Sequence, residues 1–307
     1  MTIIKSLDKV INIENSIITI GNFDGIHKGH IKLIKKAVKE ARHKKFKSIV
    51  FTFENHPMRY FRENSIKSII TNDEKINILK SLGVDIIFMV PFNEYMTKIS
   101  AINFVKEILI EKLKCKKVIV GHDFTFARNK EGTVEKLKSI GKVYNMEVEV
   151  INPIKINNIR VSSSYIRQLI SQGKVHNIKD FLGRNYSLEG EVIHAKKLGR
   201  TIGFPTANLN IDNNLITPKC GIYAVKVYLK DKTYYGATNI GYNPTVNGQS
   251  LSIETNILNF NKDIYGQIIK IEFLERIRDE RKFNSLDELK AQLHKDVNFV
   301  YKKYVYK

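Results

Sequence analysis

The chain has 307 residues, enough for two domains that each bury a core. It carries 51 Lys and Arg against 31 Asp and Glu, a formal net charge of +20. Its apolar runs stay well short of the ~20 residues that span a membrane. The first eight residues lack the pattern of a secretory signal, and the two cysteines lie far apart. These features exclude a membrane span and a disulfide scaffold, and they predict a cytoplasmic protein.

The basic charge is compatible with nucleic-acid binding, but the lysines are spread along the whole chain. The dense patches, residues 42–45 and 114–117, are short. A solvated basic surface explains the charge, and such a surface would also attract small phosphorylated molecules. We therefore expect no nucleic-acid partner and no membrane partner. The sequence predicts no particular oligomeric state.

The first half of the chain alternates strands and helices. Apolar and β-branched runs predict strands at residues 17–20, 48–53, 85–90 and 117–121. Helical patterns begin at Thr71, which is an N-cap candidate, and extend over 101–114. This order predicts an α/β domain with a parallel sheet and helices on both faces. Such sheets bind ligands at the carboxyl ends of their strands.

The second half is a series of short strands with turn residues between them. The strands are predicted at residues 187–193, 222–229, 233–240, 250–257 and 267–273. This spacing is typical of an antiparallel barrel or sandwich. A last helix, 285–301, begins with a sequence close to a capping box. We place the domain boundary at Gly183, with domains 1–183 and 184–307.

The most informative segment is residues 21–30, Gly-Asn-Phe-Asp-Gly-Ile-His-Lys-Gly-His. It lies between a predicted strand and a predicted helix, where backbone N–H groups and the helix dipole favour a phosphate. Gly21, Gly25 and Gly29 would let the backbone approach a ligand. His27 and His30 are three residues apart and project to one side if both lie in the first helical turn. An ordinary helix-capping turn is the alternative.

This segment resembles the HxGH signature of nucleotidyltransferases, and the Phe23-Asp24-Gly25 before it resembles the FAD synthetase branch. The resemblance implies a Rossmann-like domain in which His27 and His30 hold ATP phosphates and stabilise the transition state. It assigns the remaining motif residues to ATP binding: Gly21, Phe23, Asp24, Gly25 and Gly29.

Two further segments of the first half resemble FAD synthetases. Residues 52–57 match a Thr-Phe-x-Pro-His-Pro segment, with Asn55 where proline is usual. Residues 120–132 match a loop that contacts adenine and ribose in that family, with Ala127 where glycine is usual. The second match implies that Asp123 binds ATP through its carboxylate. Taken alone, each segment is compatible with an ordinary turn or surface loop.

Residues 161–167, Val-Ser-Ser-Ser-Tyr-Ile-Arg, predict an N-cap followed by a helix. Hydroxyls, backbone N–H groups and an arginine together suit a polyphosphate. The segment resembles the Ser-Ser-Thr-x-Ile-Arg motif of nucleotidyltransferases, with Ser164 in the threonine position. The resemblance implies that Ser163 and Ser164 bind phosphate and that Arg167 acts on the pyrophosphate leaving group.

Residues 198–209 closely resemble the Gly-Arg-x-Leu-Gly-Phe-Pro-Thr-Ala-Asn signature of riboflavin kinases. This match implies that Gly199 and Arg200 bind ATP. Ala195 stands where that family commonly has glycine. Thr206 and Asn208 offer hard oxygen ligands of the kind that Mg²⁺ accepts. Further matches follow in order down to residue 283, so the resemblance covers nearly the whole chain.

Glu254 lies in an alternating segment, and an acid on an inner or rim face of a strand could take the proton of a substrate hydroxyl. A solvent-facing strand residue is the alternative. The resemblance then implies a bifunctional enzyme: riboflavin and ATP give FMN in the C-terminal domain, and FMN and ATP give FAD and pyrophosphate in the N-terminal domain, with Mg²⁺ as the ion.

Two other interpretations stay open. The departures at Asn55, Ala127 and Ala195 are compatible with the loss of one activity. A nucleic-acid-binding regulator on the same scaffold is the alternative from another class, because fold does not imply function.

Overall fold

The computed structural model describes residues 1–9, 12–63, 65–194, 203–245 and 248–306; for 243–245 and 248–250 it describes the backbone only. The chain divides into two compact units, Met1–Ser163 and Ser164–Lys307. The boundary that the sequence predicts after Gly183 lies further along the chain, and it stays a prediction.

The first unit contains a six-stranded sheet in the order β1-β4-β3-β2-β5-β6, and every pairing in it is parallel. Its strands are β1 (Thr2–Ile4), β2 (Ser16–Ile20), β3 (Lys47–Phe53), β4 (Ile86–Val90), β5 (Cys115–Gly121) and β6 (Glu147–Ile151). A two-stranded hairpin follows, formed by β7 (Lys155–Ile156) and β8 (Ile159–Arg160).

The α-helices of this unit are α1 (Lys28–Lys44), α2 (Pro57–Phe61), α3 (Asn72–Ser81), α4 (Glu94–Lys98), α5 (Ala101–Asn103) and α6 (Val134–Val143). Alternate residues of β2 face opposite sides of the sheet. Ile17 packs with Ala37 of α1 on one side, and Ile18 packs with the cluster around Leu137 of α6 on the other. The parallel sheet with helices on both faces is therefore confirmed.

The predicted helix over 101–114 has a different hydrogen-bond pattern. After α5 it continues as a π-helix, Phe104–Lys112, which ends with a hydrogen bond from the Leu113 N–H to the Ile108 carbonyl. Its buried residues are Phe104, Val105, Ile108 and Leu109, and they pack into the core cluster that includes Phe51.

The sequence analysis missed α6 and β6. Strand β6 carries Glu147 and Glu149, which weaken an apolar strand pattern. Both carboxylates bind the ammonium of Lys117 on β5, at 2.7 and 2.6 Å, and Glu40 of α1 binds it at 2.8 Å. Ion pairing between neighbouring elements therefore allows charged residues to form a strand here.

The second unit is built around a closed barrel in the order β10-β13-β12-β11-β14-β9. Its strands are β9 (Ser187–Ile193), β10 (Ala207–Ile211), β11 (Gly221–Leu229), β12 (Lys232–Thr245), β13 (Gly248–Ile257) and β14 (Ile268–Arg278). Each pairing is antiparallel, and β10 closes the ring against β9. The barrel is thus confirmed over the sandwich, and β10 is a strand that the sequence analysis missed.

Helices that flank the barrel strands in the described part of the chain are α7 (Ser163–Ser171), α8 (Val175–Leu182) and α9 (Leu286–Val300), which continues as a π-helix, Tyr301–Val305. The predicted capping at Ser285 is present, since its side chain accepts the Glu288 N–H at 3.1 Å. Val300 packs with Ala224 and Leu258, beside Tyr235 and Ala237. Helix α9 therefore covers part of the outer face of the barrel.

Ala127 keeps a backbone conformation that favours glycine. Its φ of 65° and ψ of −179° lie in a region that is essentially restricted to glycine. Ala127 therefore adopts the conformation that would suit the glycine usual in the motif it resembles, at a cost in strain.

The variant Ala127→Gly should stabilise the protein. Release of the strain contributes about 1–3 kcal/mol, and the extra freedom of glycine in the unfolded chain offsets about 0.4–1 kcal/mol. Denaturant unfolding of the full chain should show the gain. Ala37→Gly, inside helix α1, is the matched control and should lower stability. A loss of stability in Ala127→Gly would contradict this explanation.

Candidate functional site

The 21–30 turn lies directly after β2, at the carboxyl edge of the parallel sheet. Helix α1 begins at Lys28, so His27 is its N-cap and lies outside the first helical turn. The N–H of His30 donates to Nδ1 of His27 at 3.2 Å. The two imidazole rings stack with their centroids 3.7 Å apart and an interplanar angle of 15°. The two histidines therefore lie together, as predicted, although capping rather than helical spacing brings them there.

The glycines of the turn make this arrangement possible. A Cβ on Gly29 would lie 3.1 Å from the ring of His27, closer than most such contacts. Gly25 has a φ of +79°, and its Cβ would lie 3.0 Å from Ile69. Ile26 has a φ of 38°, which is strained for a β-branched side chain. Strain of this kind is typical of functional sites.

Phe23 and Asp24 direct their side chains inward and support the turn from below. Phe23 is buried, its ring packs beside Gly21, and it meets the His30 ring edge to face with the two centroids 5.1 Å apart. Asp24 accepts the Ile69 N–H at 2.9 Å through Oδ1. The backbone carbonyl of Asp24 accepts the hydroxyl of Ser163 at 2.8 Å. Ser163 thus joins the predicted phosphate site by a direct contact.

His30 is held in its neutral form. Burial lowers its pKa well below the usual range, and the charges of His27 and Lys75 lower it further. Its Nδ1 atom is buried, with no hydrogen-bond partner among the described residues. The site therefore holds an imidazole with an unused ring nitrogen.

Lys75, near the start of α3, is a charged neighbour that the sequence analysis missed. It is only 6% exposed, and its Nζ donates to the Phe53 carbonyl at 3.3 Å. Burial lowers the pKa of Lys75 to about 8, although the charge of Asp24 opposes the shift. Lys75 and Leu79 are both buried, four residues apart. A lysine in an apolar helical position is the signal that could have identified it.

The other site residues predicted in this half are Asp123, Ser164 and Arg167. Asp123 binds Arg160 through a short ion pair; burial opposes ionisation, but the hydrogen bond and charge of Arg160 outweigh it and lower the pKa of the carboxyl. Ser164 and Arg167 lie on α7, in the second compact unit.

A second cluster of polar side chains lies on three neighbouring strands of the barrel. Glu254 of β13 is the register partner of Asn208 on β10 and of Asn239 on β12. Directly paired residues of antiparallel strands project from the same face. The three side chains therefore form a row, which we call the Asn-Glu-Asn row. A carboxylate oxygen of Glu254 also accepts the Ser252 hydroxyl at 2.8 Å.

The row lies on the outer face of the barrel, which corrects the prediction of an inner or rim face for Glu254. The neighbouring Ile253 and Thr255 are buried, and Thr255 shares a hydrogen bond of 2.8 Å with Thr238. These residues fill the interior, so the alternate positions face outward. Helix α9 covers part of this face, since its Leu289 and Leu293 line one cavity with Glu254 and its Val300 packs on Ala224.

Among the described residues, two cavities are lined by members of this cluster, the first on the outer face and the second reaching interior residues such as Thr255. One lies between the barrel and α9 and is lined by Glu254, Asn239, Thr206, Arg278 and apolar residues of α9. The other, of about 410 Å³, is lined by Thr206, Asn208 and the 260–265 segment. Its volume lies within the range of small-molecule sites. Thr206 borders both cavities. The predicted ATP-binding residues Gly199 and Arg200 lie outside the described residues.

The segment before Thr206 is anchored to the same face. The amide of Asn256, two residues beyond Glu254, donates to the Pro205 carbonyl at 2.8 Å. The sequence analysis gave Asn239 no role, although the residue begins one of the segments that match riboflavin kinases. Only the register reveals that it faces Glu254.

Together, these features define a nucleotide-dependent transferase with two sites in two units. Family models agree: residues 10–165 match FAD synthetase, and residues 182–304 match riboflavin kinase. The bifunctional riboflavin kinase/FMN adenylyltransferase of Buchnera aphidicola subsp. Acyrthosiphon pisum is 38% identical, covering 98% of both chains. The protein of the same name from Bacillus subtilis is 39% identical, covering 92% of this chain and 90% of its own. The chain therefore belongs to the bifunctional riboflavin kinase/FMN adenylyltransferase family.

A solved structure supports the fold. A macrolide-efflux protein from Streptococcus pneumoniae has a TM-score of 0.90 and 32% identity, covering 98% of both chains. Within the described part of this chain, no helix is long and apolar enough to cross a membrane. The same residues contain no group of three His, Cys, Asp or Glu side chains that could hold a metal ion.

The ammonium of Lys75 should titrate near pH 8 in the folded protein. It should be charged below that pH and neutral above it, because burial disfavours the charged form. NMR titration of the lysine side-chain carbons measures this midpoint, and Lys75→Arg assigns the signal by removing it. Asp24→Asn should lower the midpoint further. A midpoint near that of free lysine would contradict the buried placement.

Proposed function

We propose that the chain phosphorylates riboflavin with ATP to give FMN in its C-terminal half, and adenylylates FMN with ATP to give FAD and pyrophosphate in its N-terminal half. The observation that carries this proposal is the presence of two separate polar sites, the 21–30 turn and the Asn-Glu-Asn row, each within the part of the chain that matches the corresponding family. The functional domains we propose are 1–183 and 184–307.

In the N-terminal site, the phosphate of FMN attacks the α-phosphorus of ATP, and pyrophosphate leaves. The acceptor phosphate is already ionised, so positioning and charge stabilisation are sufficient and no base is needed. Nδ1 of His27 accepts the His30 N–H, so a neutral His27 has its proton on Nε2 and can donate to a phosphate oxygen. His30, whose ring stacks on that of His27, binds the same phosphates and stabilises the transition state.

We assign the rest of the ATP site by motif position. The residues for ATP and its phosphates are Gly21, Phe23, Asp24, Gly25, Gly29, Asp123, Ser163 and Ser164, with Arg167 for the leaving pyrophosphate. Phe23 and Asp24 would act by supporting the turn, because their side chains face inward. The ion pair of Asp123 with Arg160 would orient the Asp123 carboxylate for ribose.

In the C-terminal site, Glu254 is the proposed general base. The 5′-hydroxyl of riboflavin is not ionised at neutral pH, so it needs a base that the phosphate of FMN does not. Glu254 takes the hydroxyl proton, the oxygen forms a bond to the γ-phosphorus, and the bond to ADP breaks. Gly199 and Arg200 are proposed to bind ATP on the strength of their motif alone.

Mg²⁺ is the proposed ion, and the donor chemistry fits it. The hydroxyl of Thr206 and the side-chain carbonyl of Asn208 are hard oxygen donors beside the same cavity, and Glu254 is the register partner of Asn208. When bound, the ion would neutralise phosphate charge. Thr206 and Asn208 would hold it and so fix the ATP phosphates beside the base.

Riboflavin, FMN and ATP are the proposed partners, without nucleic acid or membrane. We also propose a cytoplasmic location, which suits two free cysteines, of which Cys115 is buried. The surroundings of Asn55 and Ala127, two residues that depart from the family pattern, support retention of the N-terminal activity. The amide of Asn55 bonds the Phe92 backbone in both directions, at 3.0 and 2.7 Å, and Ala127 keeps the glycine conformation.

The variant His30→Ala should lose FAD formation from FMN by roughly 100-fold or more, because a group that stabilises the transition state is removed. FMN formation from riboflavin should be unchanged. Chromatographic separation of flavins after incubation with ATP and Mg²⁺ measures both reactions. His43→Ala, at an exposed position on the same helix, is the control. Loss of both activities in His30→Ala would contradict separate sites.

The variant Glu254→Gln keeps the shape of the side chain and removes the base. FMN formation should fall by roughly 100- to 10,000-fold, while FAD formation from supplied FMN should persist. The same separation of flavins measures both, and Glu189→Gln, at an exposed position on β9, is the matched control. Normal FMN formation in Glu254→Gln would exclude Glu254 as the base.

A further inference from the structure

Asn239 contains an unused hydrogen-bond acceptor in the C-terminal half of the chain. Its Oδ1 atom is buried, and no hydrogen-bond partner for it occurs among the described residues. The residue lines the cavity between the barrel and α9. A buried acceptor without a donor lowers the stability of the fold. Such an atom in a cavity therefore points to a donor on a bound ligand.

The position of Asn239 within the barrel determines which other side chains that ligand would contact. Asn239 and Asn208 are register partners of Glu254 from opposite sides. The base therefore lies between the proposed metal-binding amide and the unused carbonyl of Asn239. A substrate whose hydroxyl reaches Glu254 brings its adjoining atoms to Asn239.

The chemistry of the cavity favours the flavin substrate over ATP. Asn239 is the register partner of the proposed base, so the substrate atoms that reach it adjoin the acceptor hydroxyl, and the triphosphate of ATP, which has no donor, cannot satisfy its Oδ1. The cavity walls include Phe204, Ile222, Leu289 and Leu293, which suit an apolar ring system. Riboflavin combines such a ring system with a chain of hydroxyl donors.

We propose that Asn239 is a substrate-positioning residue whose side-chain carbonyl accepts a hydrogen bond from a ribityl hydroxyl other than the one that is phosphorylated. This bond holds the 5′-hydroxyl against Glu254. The proposal rests on the kinase function proposed above. It adds a residue that selects a polyhydroxyl chain over an aliphatic one, because a substrate without the donor leaves the acceptor unpaired.

The first test is Asn239→Leu, which keeps the approximate size and removes the acceptor. The kcat/KM for riboflavin should fall roughly tenfold to a hundredfold, while KM for ATP stays unchanged. The thermal unfolding midpoint should stay the same or rise, because an unpaired buried acceptor is removed. An asparagine with a merely structural role would give a lower midpoint. Asn210→Leu, exposed on β10, is the matched control and should retain full activity.

The decisive test combines the variant with substrate analogues. The analogues are 2′-, 3′- and 4′-deoxyriboflavin. For one of them, kcat/KM in the native protein should fall by the same factor as kcat/KM for riboflavin falls in Asn239→Leu. The variant should show no further fall in kcat/KM with that analogue, because the two changes remove the same hydrogen bond. If the effects of the substitution and of the missing hydroxyl on kcat/KM multiply for all three analogues, the proposal is overturned.

Two controls keep the outcome interpretable. Circular dichroism and the unfolding midpoint of Asn239→Leu report whether the barrel is folded, whereas FAD formation from FMN reports only on the N-terminal unit. If this variant does not fold, the analogues alone decide, since full activity of the native protein with all three overturns the proposal. If the native protein makes no FMN from riboflavin, the proposed function fails instead, which is a distinct result.

Discussion

The hydrogen bond from the His30 amide to Nδ1 of His27 determines the geometry of the N-terminal site. It ends the turn after β2, begins helix α1 at Lys28 and stacks the two imidazole rings. It also explains the residues around it, because a side chain at Gly29 would press against the capping ring. The same bond fixes the tautomer of a neutral His27, whose ring proton then lies on Nε2. One local contact thus links the fold of the turn to its proposed chemistry.

Strand register has the corresponding role in the barrel. Pairing of β13 with β10 and β12 brings Asn208, Glu254 and Asn239 into one row. A slip of β13 by one residue would turn Glu254 toward the interior, which Ile253 and Thr255 now fill, and would separate it from Asn208 and Asn239. Helix α9 then makes a cavity of an otherwise open barrel face. The geometry of the 21–30 turn therefore depends on a capped helix, whereas that of the Asn-Glu-Asn row depends on strand register.

Much of this organisation could be predicted from sequence. Buried strands such as β2 and β4 are uninterrupted apolar runs, and the polar residues of the two sites occur in compact motifs. The rest depends on contacts between distant residues. The strand β6 needs Lys117 to pair its glutamates, and Lys75 is buried only because Asp24 and the Phe53 carbonyl are near. Local patterns do not contain such partners.

The outward orientation of Glu254 could not be predicted for a related reason. Alternation along β13 separates two faces, but only closure of the barrel and the packing of α9 decide which face is inside. The same holds for His27, since helical spacing and N-capping both bring it near His30. In each case the residues were found by motif, and their roles depend on geometry.

The proposed acceptor groups, an ionised phosphate of FMN and an un-ionised hydroxyl of riboflavin, explain why the two halves have different site residues. A phosphate needs positioning, whereas a hydroxyl needs a base, and we propose the histidine turn for the first and Glu254 for the second. The most direct test mixes His30→Ala with Glu254→Gln and supplies riboflavin, ATP and Mg²⁺. Two independent sites predict that the mixture makes FAD although neither variant does so alone. A mixture that makes no FAD would contradict the assignment of the two reactions to these two sites.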